Sequence, residues 1–299
     1  MLSICIPVYN VDVTKLVFDL HAQIQKVNES IEIVLIDDAS DIEIKAKNRL
    51  LKEYCKIIEL ETNVGRSKIR NLFVSQCKHP SLLFLDCDSE IISSTFLAKY
   101  IQELNRLNPK VLFGGSIYSE QRPEKKYLLR WKTSRNKESK SIQDRELNFN
   151  WGFKTNNFVI EKELLQKIAF NENLCDYGHE DTLFAFDLFR ANVSVIQSDN
   201  AVLNAHLDTN HVYLKKTKEA LVNLVEVLKI LNFDKEFIKH IPLLKTYFSL
   251  KKNGFLLILR PIFWCIKPTL FSCLKSGVFF LWMFDMYKLI EFSRIQSVK

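Results

Sequence analysis

Through its first half the chain alternates short, continuously apolar blocks with longer stretches whose apolar residues recur every three or four positions. LSICIPV at 2–8, IEIVLID from Ile31, KIIEL from Lys56 and SLLFLD from Ser81 read as strands. Segments 13–28, 43–54 and 66–77 between them read as amphipathic helices. Strands this apolar are normally covered on both faces, as in a parallel sheet wrapped by helices. The alternation therefore predicts an α/β, doubly wound, mainly parallel sheet. Further along, VLFGGSIY at 111–118 reads as a strand, and the polar 119–150 as a mobile loop or a short helical insertion. WGFKTNNFVI at 151–160 reads as a returning strand, and 180–191, 212–231 and 234–250 as helices.

From Lys251 onward the pattern changes. Apolar and aromatic blocks (GFLLIL, PIFWCI, GVFFLWMF) are punctuated by eight Lys or Arg residues, against only Asp285 and Glu291. Such a tail suits an interfacial segment on an anionic membrane. It equally suits helices packed on the rest of the chain or on a second copy, as in a homodimer. The expected organisation is an α/β domain over 1–210 and a helical extension over 211–299.

Open α/β sheets bind ligands beyond the carboxyl ends of their strands. Polar residues collect there: Tyr9 and Asn10, then Asp37 and Asp38, then Asn63, then Asp86 and Asp88. Four successive strands ending this way define one rim, and that rim is the expected site. Asp86 and Asp88, one residue apart after LLFL, bring two carboxylates within reach of one hard cation. Mg²⁺ or Mn²⁺ prefers such oxygen ligands and shares them with a substrate diphosphate; the bland reading is a solvated acidic turn. Cys87 lies between them, and strand alternation points it away, so a thiolate metal site is not expected. In NVGRSKIRN, Gly65 opens a helix bearing Arg66, Lys68 and Arg70, a setting that favours phosphate oxygens. The stretch is neither a Walker loop nor a dinucleotide fingerprint, which disfavours ATPase and dehydrogenase readings.

Composition adds modest limits. With 47% hydrophobic and 26% charged residues, 299 residues can bury a substantial core. A net charge of +7 suits an anionic small molecule or a membrane surface and does not call for nucleic acid. Seven cysteines without a C-x-x-C pair read as reduced thiols. The opening MLSICIPVYN lacks the basic flank of a signal sequence, and no uncharged apolar run approaches the ~18 residues that cross a bilayer. The expected location is the cytoplasm, with peripheral contact at the inner face of the plasma membrane through 251–299.

SICIPVYN, IVLIDDAS, NVGRSKIRN, FLDCDSE and YGHEDTLFAFDL, in this order, resemble a family 2 glycosyltransferase with the nucleotide-sugar-binding GT-A fold. The resemblance covers roughly residues 1–210. It implies that Pro7, Val8 and Tyr9 lie beside a uracil whose N–H is accepted by Asp37 or Asp38, although Asp38-Ala39-Ser40 also suits a helix cap or turn. It places Arg70 and Cys87 with the nucleotide, although Arg70 also suits a structural group packed against the rim. It places His206 as a third metal ligand beside Asp86 and Asp88 or a diphosphate contact, against a merely structural histidine. Asp181 is implied as the base that deprotonates the acceptor, with Glu180 orienting an acceptor hydroxyl; both acids would also suit a helix N-terminus. Trp151, Gly152 and Asn156 are implied in the sugar or acceptor pocket, against a core tryptophan and a turn glycine.

The activity so implied is inverting transfer from a nucleotide-diphosphate sugar, expected to be a UDP-sugar, to a glycan or lipid-linked acceptor in bacterial surface polysaccharide synthesis. Mn²⁺ or Mg²⁺ is the expected cofactor. A sugar-phosphate nucleotidyltransferase is the alternative, but it would want a Gly-rich, arginine-bearing loop where PVYNVDVTK stands. A non-catalytic relative that binds a partner or glycan is the third reading, disfavoured by the intact Asp86, Asp88 and Asp181.

Overall fold

The computed structural model describes residues 1–146, 152–174 and 177–298. It divides into two compact units, Met1–Ser119 with Glu138–Cys175 and Glu180–His206, and Glu120–Lys137 with Asp176–His179 and Leu207–Lys299.

The first unit is built on a seven-stranded sheet. Its strands are β1 (Leu2–Val8), β2 (Ile31–Asp37), β3 (Lys56–Glu59), β4 (Ser81–Leu85), β6 (Val111–Phe113), β8 (Asn157–Glu161) and β9 (Val195–Gln197). Their order is β3-β2-β1-β4-β8-β6-β9. All neighbours run parallel except β8, which is antiparallel to both β4 and β6. The mainly parallel α/β sheet expected from the apolar blocks is therefore present, with the Asn157 strand as its one reversed member among the described residues. A small second sheet joins β5 (Ser89–Glu90), β10 (Val202–Asn204) and β7 (Ser116–Ile117).

Both faces of the large sheet are buried because alternate side chains of one strand feed opposite layers. Ile4 and Ile6 of β1 and Leu83 and Leu85 of β4 pack with Leu16, Val17 and Leu20 of α1 (Thr14–Ile24) and with Phe96, Leu97 and Tyr100 of α4 (Phe96–Leu107). Cys5, Leu82 and Phe84 face the other way. They meet Ile69 and Phe73 of α3 (Arg66–Gln76), Leu165 of α7 (Lys162–Lys167), and Phe184 and Leu188 of α8 (Glu180–Arg190). Phe84 stacks on Phe158 at 5.0 Å and meets Phe73 edge-on at 5.5 Å. Each such ring buried contributes about 1.5–3 kcal/mol.

VLFGGSIY is not one strand. It splits into β6 and β7 at Gly114-Gly115, where Gly115 takes φ +76°. Gly114 has no room for a side chain, since a Cβ would stand 2.6 Å from the Asn200 carbonyl and press on Tyr100 and Asn157. Asn157, fully buried, accepts from the Tyr100 hydroxyl at 2.6 Å and donates to the carbonyls of Gly115 and Asn200 at 2.9 and 2.8 Å. This amide locks the break in place.

The second unit is helical. Within 119–150 the described residues hold a 3₁₀ turn at Lys125–Tyr127, α5 (Leu128–Lys137) and α6 (Ile142–Glu146), the last belonging to the first unit. α9 (Asn210–Ile230), α10 (Lys235–His240), α11 (Pro242–Lys252), α12 (Phe255–Ser276) and α13 (Leu281–Val298) follow. The expected single helix over 234–250 breaks at Ile241, because Pro242 starts a new helix and cannot continue the old one. Asn210 ties the unit together. It accepts from the Leu129 N–H at 2.8 Å and donates to the carbonyls of Lys125 and Lys275 at 2.9 and 3.1 Å. α12 is not an uncharged run, since Arg260 and Lys267 lie inside it, yet it is long and apolar enough to cross a membrane by length and composition.

Two stability measurements test these assignments. Gly114→Ala should lose about 1–3 kcal/mol from overpacking, read as a lowered denaturation midpoint at unchanged m-value. Asp187 on α8 has its carboxyl pushed up to about 6 by burial, against the pull of Arg190. Between the unfolded value near ~3.9 and that value the native state holds more protons, so this group's contribution to stability declines as pH rises through the window. Asp187→Asn should therefore be more stable than the parent at neutral pH, and the advantage should vanish near pH ~4.

Candidate active site

β1, β2 and β4 run parallel, so their carboxyl ends open on the same rim. β8 is antiparallel, so its start arrives at that rim: Leu85 pairs with Asn157, and the Asp86 N–H donates to the Asn156 carbonyl at 3.1 Å. The loops after β1 and β2 are clamped to each other. The Asn10 N–H donates to Ser40 Oγ at 2.8 Å, and the Asp41 N–H to Asn10 Oδ1 at 2.7 Å. Asn10 and Ala39 both sit at positive φ, +54° and +63°. For alanine that conformation costs about 1–2 kcal/mol and persists only because its neighbours over-determine it.

The expected uracil residues separate by role. Tyr9 is 53% exposed at the rim, and Pro7 is half-buried. Val8 is corrected: its side chain is buried in the core, and only its carbonyl reaches the loop, accepting the Asp38 N–H at 2.8 Å. Both Asp38 oxygens are taken by backbone, Oδ1 by the Val64 N–H at 2.6 Å and Oδ2 by the Gly65 N–H at 3.1 Å. Asp38 thus shapes the turn that starts α3, and the turn reading holds for it. Asp37 accepts the Ser40 N–H on Oδ1 at 2.7 Å, while its buried Oδ2 has no hydrogen-bond partner. Of the two acids, Asp37 keeps acceptor capacity.

For Arg70 the structural alternative fits: its side chain is 3% exposed and turned to the rim carboxylates. Its guanidinium donates to Asp86 Oδ1 at 3.2 Å, stands 4.0 Å from Glu180 Oε1, and donates to the Arg66 carbonyl at 3.0 Å. Arg66 adds a second contact to Glu180 Oε1 at 3.5 Å. Glu180 is buried, and its Oε2 has no hydrogen-bond partner. Asp181 accepts from Lys154 Nζ on Oδ2 at 2.8 Å and from the Thr182 N–H and hydroxyl on Oδ1 at 2.7 and 3.2 Å. Burial pulls Lys154 down, but the Asp181 charge and hydrogen bond outweigh it and hold the ammonium above its usual range. Neither Lys154 nor Arg66 was foreseen as a partner of the acid pair. Both lie inside quoted motifs, WGFKTNN and NVGRSKIRN, as cations next to polar rim residues.

Burial pushes the Asp86 carboxyl up, Arg70 pulls it back, and the neighbouring Asp88 pushes it up again. Burial is the larger cost on this carboxylate, and Arg70 offsets it only in part. Asn156 Oδ1, on the residue that holds the Asp86 backbone, is buried without a partner. Two carboxylates and a spare amide oxygen are a hard-oxygen donor set, which fits Mg²⁺ or Mn²⁺. His206 is not gathered with them: among the described residues no three His, Cys, Asp or Glu side chains stand close enough to hold a metal. Its place follows from register, since Asn204 pairs with Ser89 and His206 lies two residues beyond, exposed. Cys87 is half-buried, packs against the core beside the Tyr9 backbone, and burial pushes its thiol to about 12, so it offers no thiolate to a metal. At Gly152 an added Cβ would meet open space, so no crowding demands a glycine there. Trp151 lies outside the described residues.

A mainly parallel α/β sheet with acids gathered at its rim suits a nucleotide-sugar glycosyltransferase of GT-A fold, and the family match shows that class. The chain belongs to glycosyl transferase family 2, whose family model matches residues 3–169. No curated protein matches it. Among solved structures it resembles S. aureus TarS 1–349 in complex with UDP-GlcNAc at 18% identity, covering 99% of this chain and 92% of that one (TM-score 0.52). It resembles the mannosyltransferase PcManGT from Pyrobaculum calidifontis, in complex with GDP-Man and Mn²⁺, at 14% identity over 99% and 86% (TM-score 0.57). Glucosyl-3-phosphoglycerate synthase from Mycobacterium tuberculosis, in complex with Mn²⁺, UDP and glucosyl-3-phosphoglycerate, is similar at 12% identity over 76% and 79% (TM-score 0.50). At these identities the likeness concerns the fold.

Removing the buried guanidinium should leave Asp86 and Glu180 without their shared partner. Arg70→Met is expected to cost about 3–5 kcal/mol in denaturant unfolding, whereas Arg66→Met, at an exposed position, should cost under ~1 kcal/mol.

Proposed function

We propose that the chain is an inverting, metal-dependent transferase that moves a hexosyl or N-acetylhexosaminyl group from a UDP-sugar to a glycan or lipid-linked acceptor, in bacterial surface polysaccharide synthesis. The observation that carries the reading is the incompletely compensated Asp86–Asp88 pair at the rim of a family 2 fold. The complexes of the similar structures with UDP-GlcNAc, and with Mn²⁺ and UDP, support the donor and the metal.

Inversion requires an acceptor oxygen to attack the anomeric carbon from the face opposite the leaving group. Asp181 takes the acceptor proton as the new C–O bond forms and the bond to the diphosphate breaks, its electrons leaving with the nucleoside diphosphate. Lys154 keeps Asp181 ionised before the acceptor arrives, since an opposite charge at 2.8 Å favours the carboxylate. Arg70 and Arg66 hold Glu180 at the start of α8, where its unpartnered Oε2 is available to orient an acceptor hydroxyl. Asp37 Oδ2 is the acceptor for the uracil N–H. Asp86 and Asp88, with Asn156, would hold the metal, which when bound supplies positive charge against the leaving diphosphate. The catalytic role is assigned to 1–210 and an accessory role to 211–299.

Donor hydrolysis and transfer across UDP-, GDP- and dTDP-sugars, with and without Mn²⁺, test the reading. UDP-sugars should be preferred, and turnover should require the metal. Asp88→Ala should abolish manganese-assisted uptake of UDP in calorimetry. Asp181→Asn should keep UDP binding and lower transfer by about 10²–10⁴-fold. Metal-independent turnover, or full transfer by Asp181→Asn, would remove the roles given to these acids.

A further inference from the structure

A second site lies in the helical unit, between α12 and α13. The groove there measures about 520 Å³. On the α12 side it is lined by Arg260, Phe263, Trp264, Lys267, Pro268 and Phe271, spaced three and one residues apart, so that they form one stripe along the helix. α13 contributes Ile290, Ser293 and Arg294. Three cations thus border an aromatic floor. Two of them, Lys267 at 2.8 Å and Arg294 at 3.1 Å, share the buried carboxylate of Glu291. The groove keeps an excess of positive charge.

Ser293 supplies the independent sign of a ligand. It is 2% exposed and lines the groove, and its Oγ has no hydrogen-bond partner. A buried hydroxyl left unpaired costs free energy that a bound oxygen would restore. Cations, an unpaired hydroxyl and an aromatic floor together match an amphiphile that is anionic at one end and apolar at the other.

The surroundings match as well. Leu256, Phe263, Leu270 and Leu274 of α12 are buried in the unit, while Leu257, Ile258 and Trp264 are 75%, 65% and 81% exposed. Phe280 and Trp282 continue the exposed apolar face at the turn into α13. Only 17% of the apolar window of α12 is buried. A helix with one face packed in its own unit, two cations at mid-length and two internal prolines is suited to lying in an interface plane. An apolar face of this extent, edged by lysine and arginine, complements an anionic bilayer.

We propose that the α12–α13 groove binds the phosphate of an anionic lipid and seats the helical unit on an anionic membrane surface. The phosphate sits among Arg260, Lys267, Arg294 and the Ser293 hydroxyl, and the acyl chains run along Trp264 and Phe271. The inference does not depend on glycosyl transfer, and its readout is separate.

Flotation of the full chain is measured with vesicles of phosphatidylcholine alone and of phosphatidylcholine with phosphatidylglycerol. The chain should float with the anionic vesicles only, and less as salt rises. Arg260→Ser should weaken partitioning about fivefold, the worth of one cation near the surface. Ser293→Ala, which removes a buried hydroxyl that has no partner to lose, should weaken it while the melting temperature stays the same or rises. Trp264→Glu should weaken it more than about tenfold, while donor hydrolysis stays at the parent rate. Equal flotation on neutral vesicles, no flotation, or indifference to all three variants would overturn the proposal. So would displacement by free glycerol phosphate at concentrations comparable to the vesicle lipid, which would mark a soluble phosphate as the ligand. A concentration-dependent dimer in light scattering that Trp264→Glu dissociates would assign the face to a second copy, and would overturn it too.

Discussion

The candidate site depends on one buried cation. Arg70 extends from the second turn of α3 between the carboxylate that ends β4 and the carboxylate that starts α8. Without a guanidinium there, Asp86 and Glu180 would be buried negative charges with little protein compensation, and Asp88 and Asp181 would add to the same field. Arginine suits the task because its planar fork donates in several directions and stays protonated under burial. The compensation is incomplete by design of the arrangement: four acids converge, and the cations supplied by Arg66, Arg70 and Lys154 hold Glu180, Asp86 and Asp181, leaving Asp88 to push on Asp86. On the proposed reading, the residual negative charge is what a divalent cation and a diphosphate would meet.

Around that cation the backbone does most of the positioning. Asp38 spends both oxygens on the turn before α3, which sets where Arg66 and Arg70 begin. Asn10 and Ser40 clasp the loops after β1 and β2, and Ala39 accepts a left-handed conformation as a consequence. The start of β8 holds the Asp86 backbone through Asn156. Asp38, Asn10 and Ser40 therefore act on the protein itself, and the ligand-facing capacity falls to Tyr9, Asp37 Oδ2, Asn156 Oδ1, the Glu180–Asp181 pair and the Asp86–Asp88 pair. The helical unit uses the same economy of side chains, with Asn210 fastening three segments and leaving the outer stripe of α12 unpacked.

Much of this was legible from the chain alone, for identifiable reasons. Continuous apolar blocks at β1, β2 and β4 can only be buried on both faces, so sheet type and the rim followed from pattern. Asp86 and Asp88 stand out because like charges after an apolar strand have no folding rationale. The misreadings share a cause. VLFGGSIY looks like one strand because pattern ignores the crowding at Gly114, which comes from Tyr100, Asn157 and Asn200 far along the chain. Val8 was assigned to the ligand although strand alternation buries it. The 234–250 helix overlooked what Pro242 does to the residues before it.

By itself, then, the order of residues determined the family, the layered α/β class and the edge at which polar groups collect, since periodicity and local motif chemistry are properties of neighbours along the chain. Which acid meets which cation was decided only in three dimensions. Arg70 and Glu180 are 110 residues apart in numbering yet 4.0 Å apart in space, and Lys154 reaches Asp181 across 27 residues. No local pattern encodes such meetings, because they arise from the crossing of strands and helices whose packing is settled by the whole core. The same holds for Ser293, an ordinary helix residue in the sequence, whose unpaired hydroxyl became visible only when α12 folded back on α13.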